Sequence, residues 1–280
     1  MARKKKTIVE YLKEETTWEL SPDVTAEKVV PFYTEPIIQQ PEILYRIDFN
    51  DYRYYCRIKD GEPIFYTSVT TIIKNQLPIS YGLKKWIIDK KADEIDEVLE
   101  ERSNYGTFLH SCCGELLINK KFDLDSIPQR IDDFVKKRNI TMPIKKWEYD
   151  CRKDILAFAQ FVIDRNVVPI AVEMVLYDPQ EMYAGALDLV VQMDWNKSRV
   201  NAIIDIKSGR KGFYESHEIQ LYAYSLLWNM HYGGTHPVSN VFNWSPKEWR
   251  SKPTYNLKDQ TNARGRLKWP HLVELTKIDD

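Results

Sequence analysis

No stretch of this 280-residue chain approaches the roughly 20 consecutive apolar residues that a membrane-crossing helix needs, so none is expected. Cysteine is scarce, and Cys56, Cys112, Cys113 and Cys151 contain no Cys-x-x-Cys pair, so reduced thiols in packing roles are the expectation. Cys112 and Cys113 are neighbours on an expected helix and point about 100° apart, which does not suit shared ligation. Ten glycines are too few for a collagen-like chain, and no internal repeat is present. Neither sign of charge dominates: 40 Lys and Arg stand against 41 Asp and Glu, a formal net charge of -1 that excludes a uniformly basic surface of histone type. The opening Ala2-Arg-Lys-Lys-Lys6 meets Glu10, Glu14 and Glu15 with no apolar run, which fits neither a signal peptide nor an acid-poor transit peptide. The expectation is an intracellular, cytoplasmic protein.

What is present is a 43% hydrophobic content, enough for one sizeable core or two small ones. Charge is segregated, with basic stretches such as Lys136-Lys-Arg138 and Arg264-Gly-Arg-Leu-Lys268 set against the acidic run Asp93 to Glu101. Residues 1 to 42 mix charges with Pro22, Pro31, Pro36 and Pro41 and read as an extended arm with room for one short helix. Residues 43 to 280 read as one domain: a hairpin at 43 to 67 turning at Lys59-Asp-Gly-Glu62, a helical region at 78 to 166, and a core at 168 to 245. Within that core, Ala171 to Tyr177, Tyr183 to Met193 and Val200 to Lys207 are strands. A helix from Ser216 to His231 and a strand from Val238 to Trp244 follow.

The chemistry-bearing signal is charge inside two of those strands. Asp188 lies in Gly185-Ala-Leu-Asp-Leu-Val-Val191, and Asp205 with Lys207 in Ala202-Ile-Ile-Asp-Ile-Lys-Ser-Gly209. Residues i and i+2 of a strand share a face, so Asp205 and Lys207 project together while Ile204 and Ile206 point into the core. An unpaired buried carboxylate costs several kcal/mol, and either a metal or an ion pair with Lys207 relieves it.

Six blocks in fixed order extend the signal: Ser68-Val-Thr-Thr-Ile-Ile73, Gly106-Thr-Phe-Leu-His110, Glu173, Gly185-Ala-Leu-Asp188, Asp205-Ile-Lys207 and Gln220-Leu-Tyr-Ala-Tyr224. On these blocks, over roughly residues 60 to 230, the chain resembles the RecB-like branch of the PD-(D/E)XK nuclease superfamily. Within that branch it is most similar to the mitochondrial genome maintenance exonucleases and their phage relatives. The resemblance implies an α/β restriction-endonuclease-like core, a mixed central sheet flanked by helices, with helical insertions at 78 to 101 and 120 to 146 that could form an arch. It implies one or two Mg²⁺ or Mn²⁺ ions, held by His110, Asp188, Asp205, the backbone carbonyl of Ile206, and Glu173. Lys207 orients or deprotonates the attacking water, and Asp188, Asp205, Glu173 and Lys207 form the catalytic set. An imidazole ligand suits Mn²⁺ better than Mg²⁺. Gln220 and Tyr224 are expected to contact the DNA backbone and buttress the site.

Ser68, Thr70 and Thr71 could donate to phosphate oxygens, and Arg210 and Lys211 directly follow the catalytic strand, placed for backbone contacts. No cysteine follows Cys151, so the iron-sulfur cluster that some RecB-like nucleases carry is not expected. The function implied is metal-dependent exonucleolytic hydrolysis of single-stranded DNA by a monomer, in replication, recombination or repair. A structure-specific or restriction-like endonuclease and a non-cleaving nucleic-acid-binding module remain as alternatives.

Overall fold

Asp60 and Gly61 both have positive φ, 53° and 89°, the pattern of a two-residue type I′ turn, and the pair Lys59↔Glu62 closes it. The computed structural model describes residues 17–21, 24–28, 38–49, 52–79, 81–89, 92–141, 144, 146–210 and 212–279. Around this turn β4 (Tyr52–Lys59) and β5 (Glu62–Ser68) form the expected hairpin. β3 (Tyr45–Phe49) pairs with β4, and β2 (Val24–Lys28) and β1 (Thr17–Ser21) extend the antiparallel order outward. Part of the N-terminal arm is therefore sheet, and the rest of it up to residue 37 lies outside the described residues.

The second half of the sheet is a meander of β6 (Val168–Asp178), β7 (Tyr183–Trp195) and β8 (Ser198–Ile206). The helix Glu215–Tyr232 then crosses over to β9 (Asn240–Pro246), which runs parallel to β8, and β10 (Tyr255–Asp259) pairs antiparallel with β9. Parallel pairing of Thr67 and Ser68 with Tyr183 and Ala184 joins the two halves into one mixed ten-stranded α/β sheet. Runs such as Leu189-Val-Val191 and Ala202-Ile-Ile204 are apolar on both faces because helices cover both.

The remaining helices are α1 (Val69–Gln76), α2 (Tyr81–Ile88), α3 (Ala92–Asn119), α4 (Ile127–Lys137), α5 (Trp147–Asp164) and α7 (Trp269–Asp279), with Glu215–Tyr232 as α6. On one face Phe108, Trp147, Phe158 and Phe161 pack with Leu189, Ile204, Phe242 and Trp244. On the other, Ile72, Ile219, Leu227, Trp228 and Trp269 pack with Met174, Leu187, Val190 and Ile203. The helical insertion expected at 78 to 101 does not end there, because α3 continues unbroken from Ala92 to Asn119. Segment 120 to 146 is anchored to the core, since Ile127 and Ile131 of α4 lie in the same apolar cluster as Trp147. Among the described residues, no helix is long and apolar enough to cross a membrane.

Candidate metal centre

β7 and β8 stay paired from Trp195↔Ser198 to Leu189↔Ile204 and then part. β5 takes the same edge of β7 only at Tyr183 and Ala184, so residues 185–188 face a notch with no strand partner on that edge. Asp188 sits at the end of the notch. Its Oδ2 accepts the Ile206 backbone N–H at 2.7 Å, so a side chain replaces the missing strand neighbour.

A second irregularity aligns with the first. Glu173 has φ +50°, a left-handed conformation rare for a residue with a side chain, and costs about 1 kcal/mol or more of strain. The strand changes phase there: Val172 packs on the α3–α5 face, whereas Met174, two residues on, packs on the α1–α6–α7 face. β7 changes phase opposite it, with Leu189 on the first face and Leu187 on the second. Simple alternation, which sets Glu173 opposite both Val172 and Met174, fails because the positive φ rotates the chain at this one residue.

His110, from the middle of α3, completes the cluster. Its Nδ1 lies 3.4 Å from Asp188 Oδ1 and 3.8 Å from Glu173 Oε1, while Nε2 is 2.9 Å from the Ile206 carbonyl. Ligand atoms of His110, Glu173 and Asp188 all fall within 4.8 Å of one another, as holding a single cation requires. Burial opposes a charged imidazole, but the carboxylates of Asp188 and Glu173 raise the His110 pKa to about 9. Burial and the Asp188 charge push Glu173 up to about 7 against the pull of His110. Asp188 is held below the usual carboxylate range because, against burial, His110, Lys207 and the Ile206 N–H all favour its anion.

The donor set fits a hard divalent ion. With Nε2–H donating to the Ile206 carbonyl, His110 presents Nδ1 to the two carboxylates, the arrangement in which a backbone carbonyl orients a ligating histidine. Ile206, expected as a ligand through its carbonyl, here has that carbonyl engaged by His110.

Asp205 lies outside the three-residue cluster. Its carboxylate is 2.9 Å from Lys207 Nζ and accepts from Asn243 Nδ2 at 2.7 Å, and burial raises its pKa to about 6 despite Lys207. The Asp205–Lys207 pair read from the i and i+2 spacing is therefore formed. Lys207 Nζ also donates to Gln220 Oε1 at 3.1 Å, and Gln220 Nε2 donates to Tyr224 OH at 2.7 Å. The buried Tyr224 ring packs over Gly185, where a Cβ would stand 2.5 Å from Tyr224 Cε1, so only glycine fits the notch there. Gln220 thus contacts Lys207 directly, and Tyr224 acts on it only through Gln220.

Asn243 and Gln260 belong to the same network and escaped the sequence reading. Gln260 Nε2 donates to Asn243 Oδ1 at 3.0 Å, which fixes the Asn243 amide so that its NH₂ faces Asp205. Both side chains are buried. The only signal in the sequence is a polar Asn inside the apolar strand Val241-Phe-Asn-Trp244.

The expected DNA contacts divide. Ser68 Oγ caps α1 by accepting from Thr71 N, and Thr71 Oγ1 exchanges hydrogen bonds with the Arg53 backbone, so both are buried structural groups; Thr70 is exposed. Arg210 is paired with Asp154, Asp150 and Glu248. Lys211 lies outside the described residues. Cys112, Cys113 and Cys151 are buried in the core and burial raises the Cys113 thiol, in keeping with packing roles.

No protein-family model matches the chain, and no curated protein matches it. A solved structure described as "Crystal structure of SSO0001" matches at 16% identity over 62% of this chain and 85% of that one, with a TM-score of 0.30, too slight a likeness to bear on fold or site.

Proposed function

We propose that this chain is a metal-dependent deoxyribonuclease that hydrolyses phosphodiester bonds of single-stranded DNA exonucleolytically, in replication, recombination or repair, on a RecB-like PD-(D/E)XK core. The observation that carries the reading is the meeting of His110, Glu173 and Asp188 beside the Asp205–Lys207 pair at one break in the sheet. Three acidic side chains and an imidazole converge there with one ammonium, Lys207, a donor set whose negative charge Mg²⁺ or Mn²⁺ would balance as it displaces the protons of His110 and Glu173. The meander β6–β8, the crossover α6 and the parallel β9 support the same core.

His110 through Nδ1, with Glu173 and Asp188, would hold the ion, and Asp205 adjoins it. A divalent ion bound there supplies Lewis-acid neutralisation of charge on the phosphate and lowers the pKa of water. Lys207, steadied by Asp205 and Gln220, presents its ammonium to the attacking water or the scissile phosphate. Asn243 and Gln260 keep Asp205 oriented, and Tyr224 keeps Gln220 in place.

The test is incubation of 5′- and 3′-labelled single-stranded and duplex DNA with Mn²⁺, Mg²⁺ or EDTA. Cleavage of the single strand is expected with metal only, and Asp205→Ala and Lys207→Ala should abolish it with the fold retained. Absent or EDTA-resistant cleavage would remove the nuclease reading. Rapid linearisation of circular single strands would replace exonuclease with endonuclease.

A further inference from the structure

Three residues after Lys207, the side chain of Arg210 enters a charge cluster built by α5 and the β9–β10 loop. Arg210 lies against Asp154 and Asp150, and Asp154, itself buried, also accepts from Tyr105 OH at 2.7 Å. The third acid, Glu248, differs from these two because its side chain is 69% exposed. One of its oxygens lies 2.9 Å from Arg210 Nε and the other 3.0 Å from Lys153 Nζ, so it bridges two cations that are themselves only 22% and 14% exposed. The bridge is imperfect: the buried Arg210 Nε–H has no well-aligned acceptor although Glu248 is close. Two aromatic rings flank it. Lys153 Nζ lies 5.4 Å from the Tyr149 ring centroid and 5.3 Å from that of Trp249, and Tyr149 is 65% exposed.

Two converging cations, an exposed anion bridging them through both oxygens and flanking aromatic faces are the components of a nucleotide site. We propose that Lys153 and Arg210 bind a backbone phosphate of single-stranded DNA, that Glu248 occupies this position in the DNA-free protein, and that Tyr149 and Trp249 stack on an adjacent base. Three residues of chain reach at most ~10 Å, so the site lies a short step along the strand from Lys207. An exposed carboxylate is weakly held, and a backbone phosphate, with one negative charge shared over two non-bridging oxygens, can take both of its contacts while leaving the local charge no more negative than Glu248 does. Unpaired bases are required for stacking, which makes a single strand the ligand.

The inference rests on the nucleic-acid reading above, and its test does not need hydrolysis. Binding of a fluorescein-labelled oligo-dT is followed by anisotropy in EDTA across a salt series, with a labelled duplex in parallel. Glu248→Gln should bind the single strand about fivefold tighter or more, since the competing anion is lost. Lys153→Met should weaken binding and reduce the salt slope by about 0.7. Tyr149→Ala should weaken binding of the single strand and leave the duplex unchanged. If the wild-type protein binds oligo-dT but Glu248→Gln binds no tighter, with its melting temperature retained, the Glu248 site is overturned and the nuclease reading stands. If the wild-type protein binds no oligonucleotide, both are overturned.

Discussion

Gly185→Ala places a methyl group where the structure has the Tyr224 ring. The added Cβ would lie 2.5 Å from Cε1, 2.9 Å from Cδ1 and 3.2 Å from Leu227 Cδ1. Carbon atoms rest at about 3.5–4.0 Å, so the ring must retreat by about 1 Å or more. It has little room, because Tyr224 is buried between β7 and α6 and its hydroxyl is tied to Gln220 at 2.7 Å. Overpacking of this kind costs ~1–3 kcal/mol, and about 2 kcal/mol lowers the melting temperature of a domain this large by roughly 4–8 °C. Retreat of the ring also draws Gln220 from Lys207 Nζ, so hydrolysis should fall more than stability alone explains. The assay is a double-mutant cycle by thermal melting and single-turnover cleavage, with Tyr224→Leu as the second change. The smaller side chain should recover stability lost by Gly185→Ala without recovering activity. Additive melting shifts, or an unperturbed Gly185→Ala, would refute the packing argument.

Asn243→Leu removes one donor from buried Asp205, which keeps Lys207, and leaves Gln260 Nε2 without its acceptor at ~1–3 kcal/mol; Gln260→Met should cost less, because Asn243 still reaches Asp205. Equal melting temperatures for the two variants would contradict the ordering. In EDTA, stability should fall as pH rises from about 5 to 9: native Asp205, Glu173 and His110 titrate near about 6, 7 and 9, above their ordinary 3.8, 4.5 and 6.5, so the native state holds protons that the unfolded chain has released. The lowered Asp188 acts in the opposite sense, but below its ordinary 3.8. Melting in a Glu173→Gln, His110→Asn double variant should show a flatter pH slope, and an unchanged slope would count against these assignments. Mn²⁺ should raise the melting temperature, by more at pH 8 than at pH 6 because ligand protons must leave, and Asp188→Asn should remove most of the shift.

The parts of the site that follow a regular period were legible in the sequence. The i and i+2 spacing placed Lys207 beside Asp205, the 3 to 4 residue step placed Gln220 beside Tyr224, and Asp60-Gly61 announced its turn. Departures from period were not legible. Nothing local to Ala171-Val-Glu-Met174 says that Glu173 takes a left-handed φ, because that conformation is held by the surrounding sheet. The hydroxyls of Ser68 and Thr71 could serve phosphate or backbone equally well until the helix cap and β4 claimed them. That Arg210 meets Asp150, Asp154 and Glu248 was not legible either, because those partners are distant from it in sequence.

By itself the sequence determined the order of strands and helices from residue 168 to 244, the charges embedded in two apolar strands, and the expectation of an acid and a lysine on one face. The short-range forces behind these, side-chain alternation, helical periodicity and turn geometry, are written in neighbouring residues. Only the tertiary structure decided which groups meet. It brought His110 from a helix to the break between β7 and β8, turned Glu173 toward it, separated Asp205 from that cluster by satisfying it through Asn243, and set Glu248 across Lys153 and Arg210. Burial makes unpaired charge costly, so each group took the partner that packing brought within reach.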